Sequence, residues 1–272
     1  MMDDLIRVEV GFGRGCMNRK MVTRVISIGG LIILWFVVTY YKLVNPLFLP
    51  PPREVLEGAV DLFQAGELRE HITASLWRMF MGFVVGSFTG VIIGILMGQF
   101  RFFHAAIGPL VEIIRPIPGL AWIPVALIWF GIEDASKVFI ISMGVFIAVV
   151  TNTFVGVRSL DPVLVRAARS LGATRRDIFF RVVLPGTLPY IFTGFRLGVQ
   201  VSFALLVAAE LVGSTSGLGF LIQDARNYFR GDLVILGMAV IGALGFSITR
   251  LVEIAERWFL RWHTKSREGA FY

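Results

Sequence analysis

Few residues in this chain are equipped for chemistry, and they sit in unusual places. Glu112, Arg115, Arg196, Glu210, Arg250 and Glu253 are ionisable side chains at or inside long apolar runs. A charge at the centre of a lipid-embedded helix costs about 3 kcal/mol unless paired or hydrated, so such residues mark a polar pathway or structural ion pairs. Arg196 shares its segment with Gln200 and Ser202, and Gly194 and Gly198 let a second helix approach closely there. It suits the passage of an anion; the competing roles are an ion pair with Glu210 or Glu112 and snorkelling to an interface. Arg115 opens a stretch containing Pro116, Pro118 and Pro124, which removes backbone donors and frees carbonyls. Broken helices are tolerated at membrane depth only where protein or a water-filled cavity surrounds them. Arg115, Trp122, Arg196, Gln200, Ser202 and Glu210 are therefore the candidate lining of a polar path, although Trp122, like Trp35 and Trp129, equally suits packing. Arg78, Arg250 and Glu253 fall near run ends, where alkyl stems can carry charge to the interface.

Nothing points to catalysis or metal binding. His71, His104 and His263 have no ligand companions at metal spacing, and Gly-Lys does not occur, so there is no phosphate-binding G-x-x-x-x-G-K-[ST] loop. No G-x-S-x-G elbow or H-E-x-x-H helix is present. A membrane-embedded enzyme would need a nucleophile–base or acid pair at depth, for which Glu112 and Glu210 are the obvious acids and no histidine falls in a span core. The single Cys16 excludes an internal disulfide and a multi-cysteine metal site.

The elements that must position these residues are apolar helices. The chain has 272 residues, 56% hydrophobic and 17% charged, with mean hydropathy +0.76; soluble domains are nearer a quarter charged. Stretches free of Asp, Glu, Lys and Arg run 25–41, 79–100, 116–132, 138–157 and 233–249, and 187–212 is broken only by Arg196 and Glu210. About 20 apolar residues span a bilayer as a helix. The expectation is an all-α polytopic membrane protein with about six spans: a tail at 1–24, one transmembrane domain at 25–260 and a tail at 261–272. The run at 25–41 follows Arg19, Lys20 and Arg24 without a small-residue cleavage site after it, and reads as an uncleaved anchor. Residues 53–64 place Val55, Leu56, Ala59, Val60, Leu62 and Phe63 on one face, as in a short helix against the outer membrane surface.

The net charge of +7 fits orientation better than nucleic acid. With the N-terminus inside, sixteen Lys and Arg fall on inner segments and six (Lys42, Arg53, Arg69, Lys137, Arg226, Arg230) on outer ones. Both termini are expected in the cytoplasm.

The connection at 158–185, RSLDPVLVRAARSLGATRRDIFFRVVLP, holds the densest local signals. Asp161-Pro162 is an N-cap followed by proline at the first helical position. Gly172 after Leu171 supplies a left-handed stop, and Thr174 with Asp177 forms a capping box that restarts a helix. A passive connector needs only about 2–8 residues, so a capped, arginine-rich pair of short helices reads as a docking surface or as a segment resting on anionic lipid.

Ala167-Ala168, Gly172 and Leu184-Pro185 resemble the cytoplasmic signature of type I ATP-binding-cassette importer permeases. RPIPGLAWIPVALIWFGIEDASK (115–137) and AELVGSTSGLGFLIQDARNYFRGDLV (209–234) are similar to the branch importing taurine, alkanesulfonates, nitrate, cyanate or bicarbonate. The likeness covers roughly 47–262. It implies the type I importer permease fold in a bacterial inner membrane, a second permease copy, two cytoplasmic ATPase subunits that hold the ATP and Mg (no cofactor being bound by this chain), and an extracytoplasmic binding protein. It also implies that Asp161, Arg166, Ala167, Ala168, Leu171, Gly172, Ala173, Thr174 and Pro185 belong to the coupling surface. The widespread pattern opens with Glu where this chain has Arg166, so it implies no glutamate salt bridge to the ATPase at that point.

Overall fold

The computed structural model describes residues 23, 26, 27, 29–46 and 48–260. Cys16, His263 and the basic residues assigned to the two tails lie outside the described residues, as do the tails' orientations. Regular structure among the described residues is helical throughout: α1 (Gly29–Tyr40), α2 (Pro52–Gln64), α3 (Glu67–Gln99), α4 (Arg101–Ile114), a 3-10 turn (Gly119–Trp122), α5 (Ile123–Phe130), α6 (Asp134–Arg158), α7 (Pro162–Ser170), α8 (Arg175–Ile178), α9 (Leu184–Gly213), α10 (Leu218–Asn227) and α11 (Gly231–Phe259).

Among the described residues, four helices are long and apolar enough to cross a membrane: α3, α6, the continuous Arg175–Gly213 rod and α11. The expected count of about six spans is approximate, and the described residues give four or five. The run at 116–132 is not one helix: Pro116 and Pro118 end α4, and α4 meets the following Gly119–Phe130 segment at 94°. The two count together as at most a fifth, bent span. α1 is shorter than a full crossing over its described length. Leu184-Pro185 opens α9 without a break from the helix before it. α8 runs into α9 through a π turn at Phe179–Val183, which absorbs the backbone donor that Pro185 lacks.

The core is organised by small residues. Gly82, Gly86, Gly90, Gly94 and Gly98 recur every fourth residue on α3 and face Ile141, Val145, Val149, Thr153 and Val157, which recur every fourth residue on α6. Both series rise together, so the two helices run parallel. A Cβ on Gly82 would lie 2.6 Å from the Ile141 Cβ, and one on Gly86 would lie 2.5 Å from the Ser142 carbonyl oxygen. The backbones touch. In lipid, where burying apolar surface drives little association, such van der Waals packing is what holds helices together. The opposite side of α6 receives α9 in antiparallel register: Gly194 faces Val149 and Asn152, Gly198 faces Val145, and Gly156 faces Tyr190. Val145 and Val149 are thus fully buried between two glycine-bearing helices.

Parallel α3 and α6 need a return crossing between them, and the bent α4–α5 pair supplies it. The α6–α9 connection therefore lies at the same end of the bundle as the end of α3. At the opposite end gather α2, α10 and the start of α11. There Gly58 packs on Leu233 and Asp232, while Leu56, Val60 and Phe63 face outward, so the apolar face read from 53–64 is divided between packing and the lipid side.

Gly90→Leu should force Val149 and the Val150 amide away and lower stability by at least the 1–3 kcal/mol of an overpacked core. Gly242→Leu, with open space around it, should be tolerated. Thermal aggregation midpoints of the detergent-solubilised variants check the contrast.

Candidate functional site: a mid-bundle cavity and a helical knob

The knob forms as its capping residues dictate. The Asp161 carboxylate accepts from the Val163 amide at 2.8 Å, Pro162 occupies the first turn, and Gly172 has φ +81°. The Asp177 amide donates to the Thr174 hydroxyl at 3.2 Å, and the Thr174 amide returns a bond to the Asp177 carboxylate at 3.1 Å. Leu160, Val165, Ala168, Ala173 and Phe179 pack with Val157, Ile178, Val183 and Ile95, so the ends of α3, α6 and α9 hold the knob in place. Ala167 and Ala168 part company here: Ala168 turns into this cluster, whereas Ala167 is exposed. Val163, Leu164, Ala167 and Leu171 fall on one exposed apolar face of α7, with Leu171 88% exposed. Arg166 and Arg169 are exposed beside it, and Pro185 is the second residue of α9.

Arg115 and Trp122 come together at mid-bundle. Both line a cavity of about 270 Å³ between the α4–α5 break, α6 and α9, whose walls include Pro118, Met143, Ala148 and Leu205. A smaller cavity of about 160 Å³ adjoins through Arg115 and is lined by His104, Glu112, Thr151 and Phe154. His104, assigned from sequence to no span core, lies within α4 and stacks on Phe154 at 5.1 Å between ring centres.

The other path candidates are elsewhere. Arg196 pairs with Glu256 at 3.3 Å, not with Glu210 or Glu112; α9 and α11 bring the two together across 60 residues of sequence. Gln200 is exposed on the bundle surface, and the buried Ser202 hydroxyl donates to the Val199 carbonyl of its own helix at 2.7 Å. Arg250 pairs with Glu253 at 2.7 Å.

Glu210 belongs to a buried clamp with Arg78. Arg78 is 4% exposed rather than snorkelling, and Glu210 is 1% exposed. The guanidinium donates to Glu210 at 2.8 Å, to Asp134 at 2.7 Å and to the Ser216 carbonyl at 2.6 Å. Glu210 also accepts from the Ser75 hydroxyl at 2.8 Å and the Gly219 amide at 2.8 Å, while the Leu218 amide donates to Ser75 and the Gly217 amide to His71 Nδ1. A buried charge pair is tolerable when its remaining lone pairs and protons are satisfied in this way. The clamp ties α3, α6, α9 and α10 together at the end opposite the knob. Lys137, counted from sequence as an outer-loop residue, is buried in the first turn of α6 and donates to the Ile132 carbonyl.

A glycine-seamed bundle of long apolar helices with a capped knob matches a known family over residues 86–261: the binding-protein-dependent transport system inner membrane components. The chain belongs to that family. The taurine transport system permease protein TauC of Escherichia coli (strain K12) is 36% identical over 252 residues, covering 91% of this chain and 92% of TauC. The putative aliphatic sulfonates transport permease protein SsuC of Bacillus subtilis (strain 168) is 34% identical, covering 88% and 86%. The nitrate import permease protein NrtB of Synechocystis is 31% identical, covering 87% and 88%. The solved MetNI methionine ABC transporter in an inward-facing conformation shares the fold at TM-score 0.54 and 21% identity, over 68% of this chain and 95% of that one. The protein is an inner-membrane permease subunit of an ATP-binding-cassette importer, a transport component and not an enzyme.

Within the permease, Arg78→Met should leave Glu210 buried and unpaired and destabilise the fold by about 3–5 kcal/mol. The double variant Arg78→Met/Glu210→Leu should recover part of that loss, as a double-mutant cycle on denaturation in detergent would show.

Proposed function

We propose that this permease carries a small sulfonate, taurine or an alkanesulfonate, through a path between two copies of the chain. The knob end faces the cytoplasm, both termini lie there too, and each knob seats on one ATPase subunit that binds and hydrolyses ATP with Mg. An extracytoplasmic binding protein delivers substrate at the α2–α10 end. The observation that carries the reading is Arg115: a guanidinium without a partner among the described residues, lining a mid-bundle cavity where a helix is broken by proline. A cation exposed at the mouth of an open cavity attracts an anion, and a binding site near the bilayer midplane built at a discontinuous helix is a recurrent transporter solution. Relatives named for taurine and aliphatic sulfonates support the substrate class. Nitrate, cyanate or bicarbonate is the second reading, favoured by the relative named for nitrate.

The apolar face of Val163, Leu164, Ala167 and Leu171 suits insertion into a groove on the ATPase, with Arg166 and Arg169 at its rim. ATPase closure would then push the knob, and the hydrophobic cluster beneath it would pass the displacement to α3, α6 and α9 together.

In proteoliposomes holding the permease, its ATPase and its binding protein, taurine or an alkanesulfonate should stimulate ATP turnover more than nitrate or bicarbonate; stimulation by nitrate alone would select the second reading. Gly172→Val places a β-branched side chain at φ +81°, a strain of roughly 1–2 kcal/mol. Together with Ala167→Trp, it should weaken co-purification of the ATPase and abolish uptake while membrane insertion persists.

A further inference from the structure

Ionisable side chains embedded in the long helices have partners: Arg78 with Glu210 and Asp134, Arg196 with Glu256, and Arg250 with Glu253. On the bent crossing, Glu112 and Arg115 have none among the described residues. They stand one turn apart at the end of α4, where residues i and i+3 place their Cβ atoms about 5–6 Å apart, yet they do not close on each other. Both line the 160 Å³ cavity that also shows His104 and Thr151, and Arg115 reaches on into the larger cavity with Trp122 and Met143. A site for a bare anion needs Arg115 alone. Both side chains are exposed at the mouth of an open cavity, and a carboxylate one turn away still repels that anion. The same carboxylate attracts an anion that brings its own cation.

We propose that Glu112 and Arg115 form a dipolar subsite that takes the ammonium and the sulfonate of a short aminosulfonate, and that Glu112 sets the preference for it over the unsubstituted sulfonate. This rests on the sulfonate reading above and assigns its selectivity. Arg115 supplies attraction for the sulfonate, while Glu112 supplies attraction for the ammonium and repulsion against substrates lacking one, the two halves of a specificity device. The apolar wall of Trp122 and Met143 accommodates the carbon chain.

The test compares uptake of taurine (2-aminoethanesulfonate) and ethanesulfonate by the complete reconstituted importer. The binding protein is the same for every permease variant, so its own preference cancels in the change of ratio. Glu112→Gln, isosteric and neutral, should lower the taurine-to-ethanesulfonate ratio roughly tenfold to a hundredfold, the worth of one charge-assisted contact. Arg115→Gln should lose both substrates. An unchanged ratio in Glu112→Gln overturns the proposal. Equal loss of both substrates in Glu112→Gln, with separation of the two permease copies, also overturns it and makes the pair an intersubunit contact. A wild-type importer that carries neither sulfonate overturns the sulfonate reading itself.

Discussion

Five glycines of α3 lie against five residues of α6, all of them β-branched valine, isoleucine or threonine, and every other feature of this bundle hangs on that contact. Glycine inside a helix costs roughly 0.5–1 kcal/mol relative to alanine, so the seam spends several kcal/mol of local helix stability. What offsets it is backbone-to-backbone packing with stiff partners: valine, isoleucine and threonine have little rotamer freedom to lose when helical. Because the same α6 residues meet Gly194 and Gly198 of α9 on their other side, three helices are fixed in register by one set of side chains.

The polar features occupy the places that this core leaves open. At one end sits the Arg78–Glu210 clamp, which fastens the α9–α10 connection to α3. At the other end the hydrophobic cluster around Val157 and Ile178 joins the knob to all three helices. Between them, the parallel direction of α3 and α6 forces a return crossing outside the seam. That crossing is the bent α4–α5 pair, and its break leaves cavities in the middle of the bundle with Arg115 between them. On the proposed function, the arrangement separates a close-packed core that transmits motion from a polar crossing that holds the substrate.

Much of this was legible in the residues themselves. The knob's caps follow local rules, and Asp161, Gly172, Thr174 and Asp177 adopt the geometry their types require. The long spans follow from hydropathy. Partners across the bundle were not legible, because hydropathy gives no helix rotation: Arg196 finds Glu256 and Glu210 finds Arg78, pairings set by tertiary packing alone. A signal for the second existed. His71, Ser75 and Arg78 recur at helical spacing and lead directly into the glycine series at Gly82 and Gly86, so one face of α3 is polar at its start and small thereafter. A face of that kind marks a buried arginine rather than a snorkelling one. The bend at 116–132 was legible only as a possibility: a charge-free stretch measures compatibility with lipid, while Pro116 and Pro118 decide whether it is one helix.

If the seam is the rigid transmitting element, its two helices keep one separation throughout the transport cycle. The direct measurement is the distance between spin labels at Phe88→Cys on α3 and Val155→Cys on α6, both on exposed faces, in a Cys16→Ser background. Doubly labelled chains would be diluted with unlabelled ones in the reconstituted importer, with and without vanadate-trapped nucleotide. A single distance distribution, unchanged on trapping, is the predicted result. A second population, or a shift approaching one helical turn of about 5.4 Å, would show that α3 slides on α6 and would contradict the account.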